Sequence, residues 1–362
     1  MARIKEYSLT YLVRPHIVHT TSYGGARQER AHVIVSLTDE DGLVGYGEAT
    51  PLSNFTGETT RVVYTVLEDM LLPAVIGFDS CDIAALHRKM NRLIYGNHAA
   101  KCAIDCAVYD LMAKELNVPL YKLLGGKSRE RVAINRHVGI MSPEKSVETA
   151  REFVEQGYGS IKMKVGTDVD AAVECVQAVR AAVGPGVKMR VDANNNLTYV
   201  QACDFIERTM DCSLEFYEQL MPKWDFEGAC RLKTRYPVRF LQDEAINSVQ
   251  DAAKYALSGA VDAFTIKPCK CGGLYPALQI AATADAFGLS IVVASTYDTH
   301  IGCSACLHLA AALPNVSTAS DLSTLATQPD WAKTGHRREG MFLYPGDQPG
   351  IGVLSMLDYP MV

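Results

Sequence analysis

The feature that most constrains the fold is a series of charged residues, each placed at the end of an apolar, strand-like run. They follow one another at intervals of 28, 26, 25, 24 and 31 residues, and they are Lys164, Asp192, Glu218, Asp243, Lys267 and Asp298. Each interval is close to the length of one strand–helix unit. Repeated units of this kind predict a parallel sheet covered by helices. The charged strand ends would then meet at one edge of that sheet.

From about residue 130 onward, eight strand-like runs alternate with Ala-rich amphipathic segments. The runs are residues 131–140, 160–165, 188–194, 214–220, 239–246, 263–268, 290–296 and a weaker one at 317–323. Eight such units predict an α/β fold of the (β/α)₈ type, the TIM barrel, rather than an open sheet. A barrel of this kind takes about 250 residues.

The first 125 residues have a different pattern, which predicts an α+β capping domain. Alternating apolar residues on both sides of Asp41-Gly42 indicate a β-hairpin. Helical stretches are predicted at 60–77, 82–94 and 99–116. The Gly/Pro-rich tail is extended and is expected to return to the cap. The predicted division is a cap at 1–125, a barrel at 126–340 and a C-terminal segment at 341–362.

Composition excludes several classes of function. The net charge of −6 argues against nucleic-acid binding, which needs a basic face. No apolar run reaches the roughly 20 residues that span a bilayer, and the first residues lack the long apolar stretch of a secretory signal. We therefore expect a cytoplasmic protein. The odd number of cysteines, 11, is typical of reduced thiols rather than of a disulfide framework.

Three of the strand-end residues, Asp192, Glu218 and Asp243, are carboxylates on neighbouring predicted strands. Like charges at close range raise each other's pKa, so the three need compensation. A hard divalent cation provides it, and oxygen ligands favour Mg²⁺, with Mn²⁺ as an alternative. The simpler hypothesis is that these carboxylates only pair with the neighbouring lysines.

The lysines lie on both sides of the carboxylates along the strand order. Lys162 and Lys164 share one face of a strand, because side chains alternate with a period of two, and Lys267 lies beyond the last carboxylate. A lysine acts as a base when its pKa is lowered by burial or by a nearby cation. Two opposed lysines around a cation suit removal of a proton from carbon on one face and its return on the other.

Several short motifs carry a resemblance to a known family. They are Lys162-Met163-Lys164, Asp192-Ala193-Asn194, Glu218-Gln219, Asp243-Glu244, Ile266-Lys267-Pro268 and Lys270-Cys271-Gly272-Gly273-Leu274. In combination the chain resembles the enolase superfamily, specifically its muconate lactonizing enzyme subgroup, over nearly its whole length. The resemblance implies that Asp192, Glu218 and Asp243 are metal ligands and that Lys164 and Lys267 are the acid/base pair. It also implies supporting roles for Lys162 and Asn194.

The same resemblance indicates residues that would contact the substrate. Asp298 stands where the subgroup usually carries a glutamate, and His300 follows it. Asp321 is the first residue of an Asp-Leu-Ser sequence where dipeptide epimerases usually carry Asp-x-Asp, which disfavours dipeptide substrates. His137 is expected to point inward on the first barrel strand if Asn135 does.

Two cap segments are predicted to cover the barrel mouth and to select the substrate. They are residues 19–25, which include Tyr23, and residues 51–57. Both are rich in glycine and carry an aromatic side chain, as lids that exclude water often do.

The predicted reaction begins with removal of a proton next to a substrate carboxylate. We expect a racemase or epimerase acting on an amino-acid derivative, a small-molecule carboxylate. The alternative is a muconate-type cycloisomerase or a syn-elimination such as that of o-succinylbenzoate synthases or dehydratases. A non-catalytic binding protein with a barrel fold is the remote alternative. By analogy, a homo-oligomer is expected.

Overall fold

A computed structural model describes residues 3–15, 29–327 and 332–356 of the chain. An antiparallel sheet is formed by β1 (Ile4–Pro15), β2 (Glu29–Asp39) and β3 (Val44–Ala49), in that order. The predicted hairpin is β2–β3, and its turn contains Gly42 with a φ of +85°. Strand β1, which the sequence pattern did not indicate, pairs along the other edge of β2.

The helical part of the N-terminal region follows this sheet. Its elements are α1 (Thr60–Val66), a π-helical turn (Leu67–Leu71), α2 (Leu72–Val75), α3 (Ile83–Leu93), α4 (His98–Glu115) and α5 (Leu120–Leu123). The three predicted helical stretches are confirmed. Helix α4 lies directly on β3, because a Cβ atom at Gly45 or Gly47 would overlap backbone oxygens of α4.

A parallel sheet occupies the centre of the remaining chain. After the short β4 (Val132–Ala133), its strands are β5 (Arg136–Val138), β6 (Ser160–Lys164), β7 (Lys188–Asp192), β8 (Phe216–Glu218), β9 (Phe240–Gln242), β10 (Ala263–Ile266) and β11 (Ser290–Val293). They are hydrogen-bonded in sequence order, which confirms the predicted α/β class and seven of the predicted strands.

Helices connect and cover these strands. They are α6 (Pro143–Glu155), α7 (Val169–Val183), α8 (Tyr199–Thr209) with a 3₁₀ turn (Met210–Cys212), α9 (Phe226–Arg235), α10 (Val249–Ser258), α11 (Pro268–Cys271), α12 (Leu274–Ala286), α13 (His300–Ala312) and α14 (Thr324–Thr327). Cys303 and Cys306 are buried thiols on α13, and all 11 cysteines are free. Within the described residues no helix is both long and apolar enough to cross a membrane.

The weak eighth strand predicted at 317–323 is not a regular strand. Residues 316–321 instead form isolated parallel bridges, from Val316 to Ile291 and from Asp321 to Ala294 on one side, and from Ser320 to Ile134 on the other. The segment thus touches both edges of the seven-stranded sheet, but through single bridges.

The inner face of the sheet has an apolar floor below a charged layer. Phe216, Leu241, Ala263 and Val292 form a small buried cluster of their own, separate from the main core. Residues two positions further along a strand point to the same face. Glu218 and Asp243 therefore lie one level above this floor, at the carboxyl ends of the strands.

The C-terminal segment contacts both parts of the chain. It contains β12 (Ala332–Thr334), β13 (Arg337–Glu339), β14 (Phe342–Tyr344) and β15 (Val353–Met356). Strand β14 pairs with β4. Gly350 forms a bridge to Pro119, and the backbone N–H of Ile351 donates to Oδ1 of Asp110 on α4 at 2.7 Å.

Candidate active site

The register of the parallel strands places the strand-end charges side by side. Lys164, Asp192 and Glu218 are direct Cα partners across β6, β7 and β8. Asp243 and Lys267 are the first residues after β9 and β10 on the inner face. Strand pairing therefore brings together the carboxylates and lysines that the spacing predicted to meet.

Lys162 is the centre of the charge network. Its Nζ lies 2.8 Å from Oδ2 of Asp192, 2.7 Å from Oε1 of Glu218 and 3.0 Å from Oδ2 of Asp321. Only 2% of the side chain is exposed. Burial opposes the charged form, but the three carboxylates prevail and hold the pKa of Lys162 well above its usual value.

Lys164 and Asn194 flank Asp192. Nζ of Lys164 lies 2.6 Å from Oδ2 of Asp192 and donates to Oδ1 of Asn194 at 3.1 Å. Asn194 has a φ of +46°, and its backbone N–H donates to Oδ1 of Asp192 at 2.9 Å. Its side-chain amide donates to Glu244 at 3.0 Å. Asn194 therefore holds a lysine and a carboxylate at fixed positions, as a supporting residue would.

Lys267 lies at the opposite end of the carboxylate row. Its Nζ is 2.5 Å from Oδ2 of Asp243, and it lies 4.4 Å from the centre of the Phe55 ring. Phe55 belongs to the second predicted cap loop, so this loop contacts the lysine. Burial opposes the charge on Lys267, but Asp243 and Glu244 raise its pKa above the usual value.

Two buried cations were not recognised from the sequence as site residues. Nζ of Lys270 lies 2.9 Å from Oδ1 of Asp243 and also donates to the Asp243 carbonyl. Arg190 pairs with Asp321, and both are buried. Position alone could have indicated each of them, because Arg190 is two residues before Asp192 on β7, and Lys270 is one helical turn after Lys267.

Asp321 is surrounded by donors. Its Oδ1 accepts from Nδ2 of Asn135 at 2.6 Å and from Arg190, and its Oδ2 accepts from Lys162. Nε2 of His137 lies 3.7 Å from Oδ1. Both Asn135 and His137 thus point inward, as expected. The cations hold the pKa of Asp321 well below its usual value although burial opposes this.

Asp298 and His300 lie against the cap. Oδ1 of Asp298 accepts from Oγ1 of Thr296 at 2.9 Å, and burial together with the nearby Glu48 raises the pKa of Asp298 to about 6. His300, the first residue of α13, is buried with its ring stacked on His336. Tyr23 and the loop 19–25 lie outside the described residues.

Glu48 joins the cap to this region and was not indicated by the sequence pattern. This buried residue of β3 accepts from the backbone N–H of Thr299 at 2.8 Å and from that of Gly302 at 2.9 Å. It is also 2.7 Å from Nδ1 of His32. Burial opposes ionisation, but these partners lower the pKa of Glu48 to about 2. A carboxylate of the N-terminal region therefore accepts hydrogen bonds from the backbone at the start of helix α13.

The donor set fits a hard divalent cation. Asp192, Glu218 and Asp243 present only oxygen atoms, from three adjacent strands, and Oε2 of Glu218 is buried without a hydrogen-bond partner among the described residues. Burial, with Asp192 and Asp321 nearby, raises the pKa of Glu218 to about 7. A cation would satisfy this oxygen of Glu218.

The carboxylates are nevertheless not arranged around a common point. Within residues 3–15, 29–327 and 332–356, no group of three His, Cys, Asp or Glu side chains has the geometry to hold a metal ion. The nitrogen of Lys162 lies between Asp192 and Glu218, and that of Lys267 is bound to Asp243 at the end of the row. The pairing of the carboxylates with neighbouring lysines, which was the simpler hypothesis from the sequence, is thus present.

Comparison with known proteins adds independent information. Residues 8–125 match "Mandelate racemase / muconate lactonizing enzyme, N-terminal domain", and residues 145–355 match "Enolase C-terminal domain-like". The chain is 30% identical to N-succinyl-L-Arg/Lys racemase from Bacillus cereus, over 91% of this chain and 89% of that protein. It is 32% identical to a chloromuconate cycloisomerase from Cupriavidus necator, over 81% of this chain and 80% of that protein.

A solved structure is similar over the full length. Dipeptide epimerase from Enterococcus faecalis V583, complexed with Mg and the dipeptide L-Leu-L-Tyr, matches with a TM-score of 0.92 and 33% identity. The match covers 97% of this chain and 99% of that chain. The racemase, the cycloisomerase and the epimerase are all isomerases.

Proposed function

Because the chain belongs to the mandelate racemase/muconate lactonizing enzyme family of the enolase superfamily, and is an isomerase of that family, we propose that it racemises or epimerises an N-substituted amino acid in the presence of Mg²⁺. Proton transfer at the carbon next to the substrate carboxylate is the reaction to be explained. A change of configuration requires one group to remove the proton and another to return it on the opposite face.

One observation carries this proposal: two lysines flank the row of carboxylates. Lys164 is held on Asp192 at one end and Lys267 on Asp243 at the other, each by a contact of 2.6 Å or less. A substrate carbon between them would have an amine on either face. We assign Lys164 and Lys267 as the two acid/base residues. Whichever lysine is neutral removes the proton, and the ammonium of the other returns one.

Mg²⁺ would be held by Asp192, Glu218 and Asp243, with Mn²⁺ as a substitute. When bound, it would offset the negative charge that the substrate carboxylate gains as the neighbouring C–H bond breaks. Lys162 and Lys270 remain in contact with the carboxylates and neutralise the rest of their charge, while Asn194 holds Lys164 in place.

The proposed site also requires a complete barrel. We propose that residues 316–321 close the seven-stranded sheet as its eighth unit, because their bridges reach Ile291 and Ala294 at one edge and Ile134 at the other. The contacts of Asp321 with Lys162 and His137 support this proposal, because closure of the barrel would bring these three side chains together.

An N-acylated amino acid fits this site better than a dipeptide with a free amino terminus. A substrate ammonium group needs an available carboxylate, and Asp321 stands where dipeptide epimerases usually carry the first residue of their Asp-x-Asp motif. In this chain Asp321 already accepts from Arg190, Asn135 and Lys162. Ser323 replaces the second aspartate of the motif.

Deuterium exchange tests the reaction. With Mg²⁺ and a panel of N-acylamino acids in D₂O, we expect deuterium to enter the α-position together with loss of optical activity. Dipeptides and muconates complete the panel. Optical inversion without any exchange from solvent, or no reaction with any member of the panel, would contradict the proposal.

The lysine roles are tested by single substitutions. Lys164→Ala and Lys267→Ala should each lower kcat for racemisation by about 10²–10⁴-fold, the usual contribution of a positioned acid or base. Each variant should still exchange the α-proton of one enantiomer only, because one lysine remains. Lys233→Ala, which removes an outer lysine that pairs with Asp262, is the control and should retain activity.

Cycloisomerisation is the second candidate, and the similarity to a chloromuconate cycloisomerase over 81% of this chain favours it. Such a reaction needs only one of the two lysines, so one alanine variant would keep nearly full activity. The product would be a lactone, formed by a new ring C–O bond without change of mass, and NMR spectra distinguish it from a racemate.

A further inference from the structure

A short segment after β10 carries the second proposed acid/base residue and is closed on itself by its own backbone. It runs from Lys267 through the one-turn helix α11 to Gly273, the residue before α12. The backbone N–H groups of Lys270 and Cys271 donate to the Lys267 carbonyl at 2.9 and 3.2 Å, and that of Gly273 donates to the Pro268 carbonyl at 2.9 Å. A shift at the Gly273 end of the segment is therefore transmitted to the backbone of Lys267.

The start of α12 is capped from another part of the chain. Its N-cap residue is Gly273, which has no side chain to accept from the first backbone N–H groups of the helix. Asp105 of α4 takes this role, because Oδ1 accepts from the backbone N–H of Leu274 at 2.5 Å and Oδ2 accepts from that of Tyr275 at 3.3 Å. A Cβ atom at Gly273, where φ is +128°, would overlap the carboxyl group of Asp105. Glycine thus leaves the room in which this carboxyl group reaches the helix.

Asp105 is completely buried and is itself held in place. Its Oδ2 lies 2.6 Å from Nε2 of His87 on α3, whose ring stacks on that of Tyr275. His98 precedes Asp105 by seven residues on α4 and so lies on the same face of that helix. It donates from Nδ1 to the Lys270 carbonyl at 2.8 Å. One face of α4 therefore holds the segment at two points.

We propose that Asp105 is a positioning residue for Lys267, because it fixes the turn from which this lysine extends. The proposal rests on the proposed reaction with two lysines. Lys164 is held differently, since its partners Asp192 and Asn194 lie at the end of β7. Loss of the Asp105 carboxyl group therefore impairs proton transfer on one face of the substrate and spares the other.

Deuterium exchange with separate enantiomers is the test. The enantiomer of an N-acylamino acid that Lys164→Ala still exchanges is the one whose α-proton faces Lys267. In Asp105→Ala, exchange of this enantiomer should slow by about 10²-fold relative to that of its mirror image, the cost of a displacement of about 1 Å at a reacting group. Asp105→Asn keeps an oxygen that can accept from the backbone of Leu274, and it should recover part of the rate.

A second buried carboxyl group on α4 supplies the matched control. Asp110 is also completely buried, and it accepts from the backbone N–H groups of Tyr46 and Ile351 rather than from α12. Asp110→Ala should lower the free energy of unfolding, as Asp105→Ala does, but it should leave the ratio of the two exchange rates at the wild-type value. A ratio in Asp105→Ala equal to that in Asp110→Ala would overturn the inference.

Amide hydrogen exchange at single-residue resolution separates this inference from the proposed function. If Asp105 fixes the turn, the amides of Lys270 and Cys271 should lose protection in Asp105→Ala, while the amides of β6 keep theirs. That result would support the inference even if the wild type racemised no compound, which would refute only the proposed function. Unchanged protection, or faster exchange at Leu274 alone, would mean that Asp105 only caps α12, and the inference would fail.

Discussion

Single residues in this protein carry charge that the surrounding interior must balance. Lys162 contacts three buried carboxylates, Asp192, Glu218 and Asp321, and it is itself almost completely buried. Taking charges out of water costs several kcal/mol per ion unless partners compensate them. The lysine therefore has a structural role in addition to any part in the reaction.

Replacing Lys162 with methionine should be strongly destabilising. The change keeps most of the side-chain volume but leaves three carboxylates short of a counter-charge, so the free energy of unfolding should fall by about 3–5 kcal/mol. Urea denaturation measures it. Lys145→Met removes a lysine of an exposed ion pair and should leave the midpoint nearly unchanged. Equal midpoints for Lys162→Met and wild type would contradict this account.

The pKa of Asp298 predicts a pH-dependent stability. Its folded-state pKa of about 6 lies above the ordinary value near 3.8, because burial and Glu48 disfavour the charge. Protonated Asp298 therefore stabilises the fold, and this contribution is present below about pH 4 and is lost as the pH rises through about 6. Asparagine does not ionise, so the free energy of unfolding of Asp298→Asn should not fall for this reason as the pH rises. The variant should therefore become more stable relative to wild type between pH 4 and pH 7.5.

Chemical denaturation across that range checks the Asp298 prediction. Parallel stability curves for wild type and Asp298→Asn would mean that Asp298 does not titrate in this window. Glu48 stays ionised in the folded protein throughout this range, because its pKa is about 2, so the titration of the folded state is that of Asp298 and not of Glu48.

At the scale of elements, the cap depends on a close approach between helix and sheet. Helix α4 is buried along nearly its whole length, and glycines on β3 let it approach the strand. The sequence predicts the helix from its composition, but it does not reveal that a second element passes so near. That contact became visible only when the strand was placed beneath the helix.

Gly47→Ala tests this packing. The added methyl group would overlap the carbonyl oxygen of Ala103, so the helix must shift, and overpacking of this kind costs about 1–3 kcal/mol of unfolding free energy. Gly186→Ala is the matched control, because nothing lies within 4 Å of its added Cβ. A urea-denaturation midpoint for Gly47→Ala as high as that of Gly186→Ala would show that helix α4 shifts without loss of unfolding free energy.

The molecule as a whole should be stabilised by its cation. A ligand that binds only the folded state raises the unfolding free energy by RT ln(1 + [L]/Kd), about 2.7 kcal/mol at 100 times Kd. We expect the melting temperature to rise with Mg²⁺ and to rise less with Ca²⁺, which prefers more ligands at longer distances. Asp243→Asn should remove most of the effect. A melting temperature independent of Mg²⁺ in the wild type would contradict the proposed ligands.

Much of the site was predictable because strand and helix periods are local. Alternation along β6 placed Lys162 and Lys164 on one face, and the unit length placed Asp192, Glu218 and Asp243 at equivalent strand ends. Lys270 was not recognised as a site residue, because no alternation assigns a residue of the one-turn helix α11 to a face, and only its position one turn after Lys267 could have indicated it. The eighth strand, predicted as a weak one at 317–323, is present only as isolated bridges of residues 316–321.

The amino-acid sequence by itself determined the order of the elements, the face on which each strand-end charge lies, and the row of three carboxylates between lysines. Only the tertiary structure decided which charges pair, as in Arg190 with Asp321, and how the cap reaches the site through Glu48 and Phe55. The physical reason is that periodicity specifies direction along and around one element. Distances between residues far apart in the chain depend on how whole elements pack.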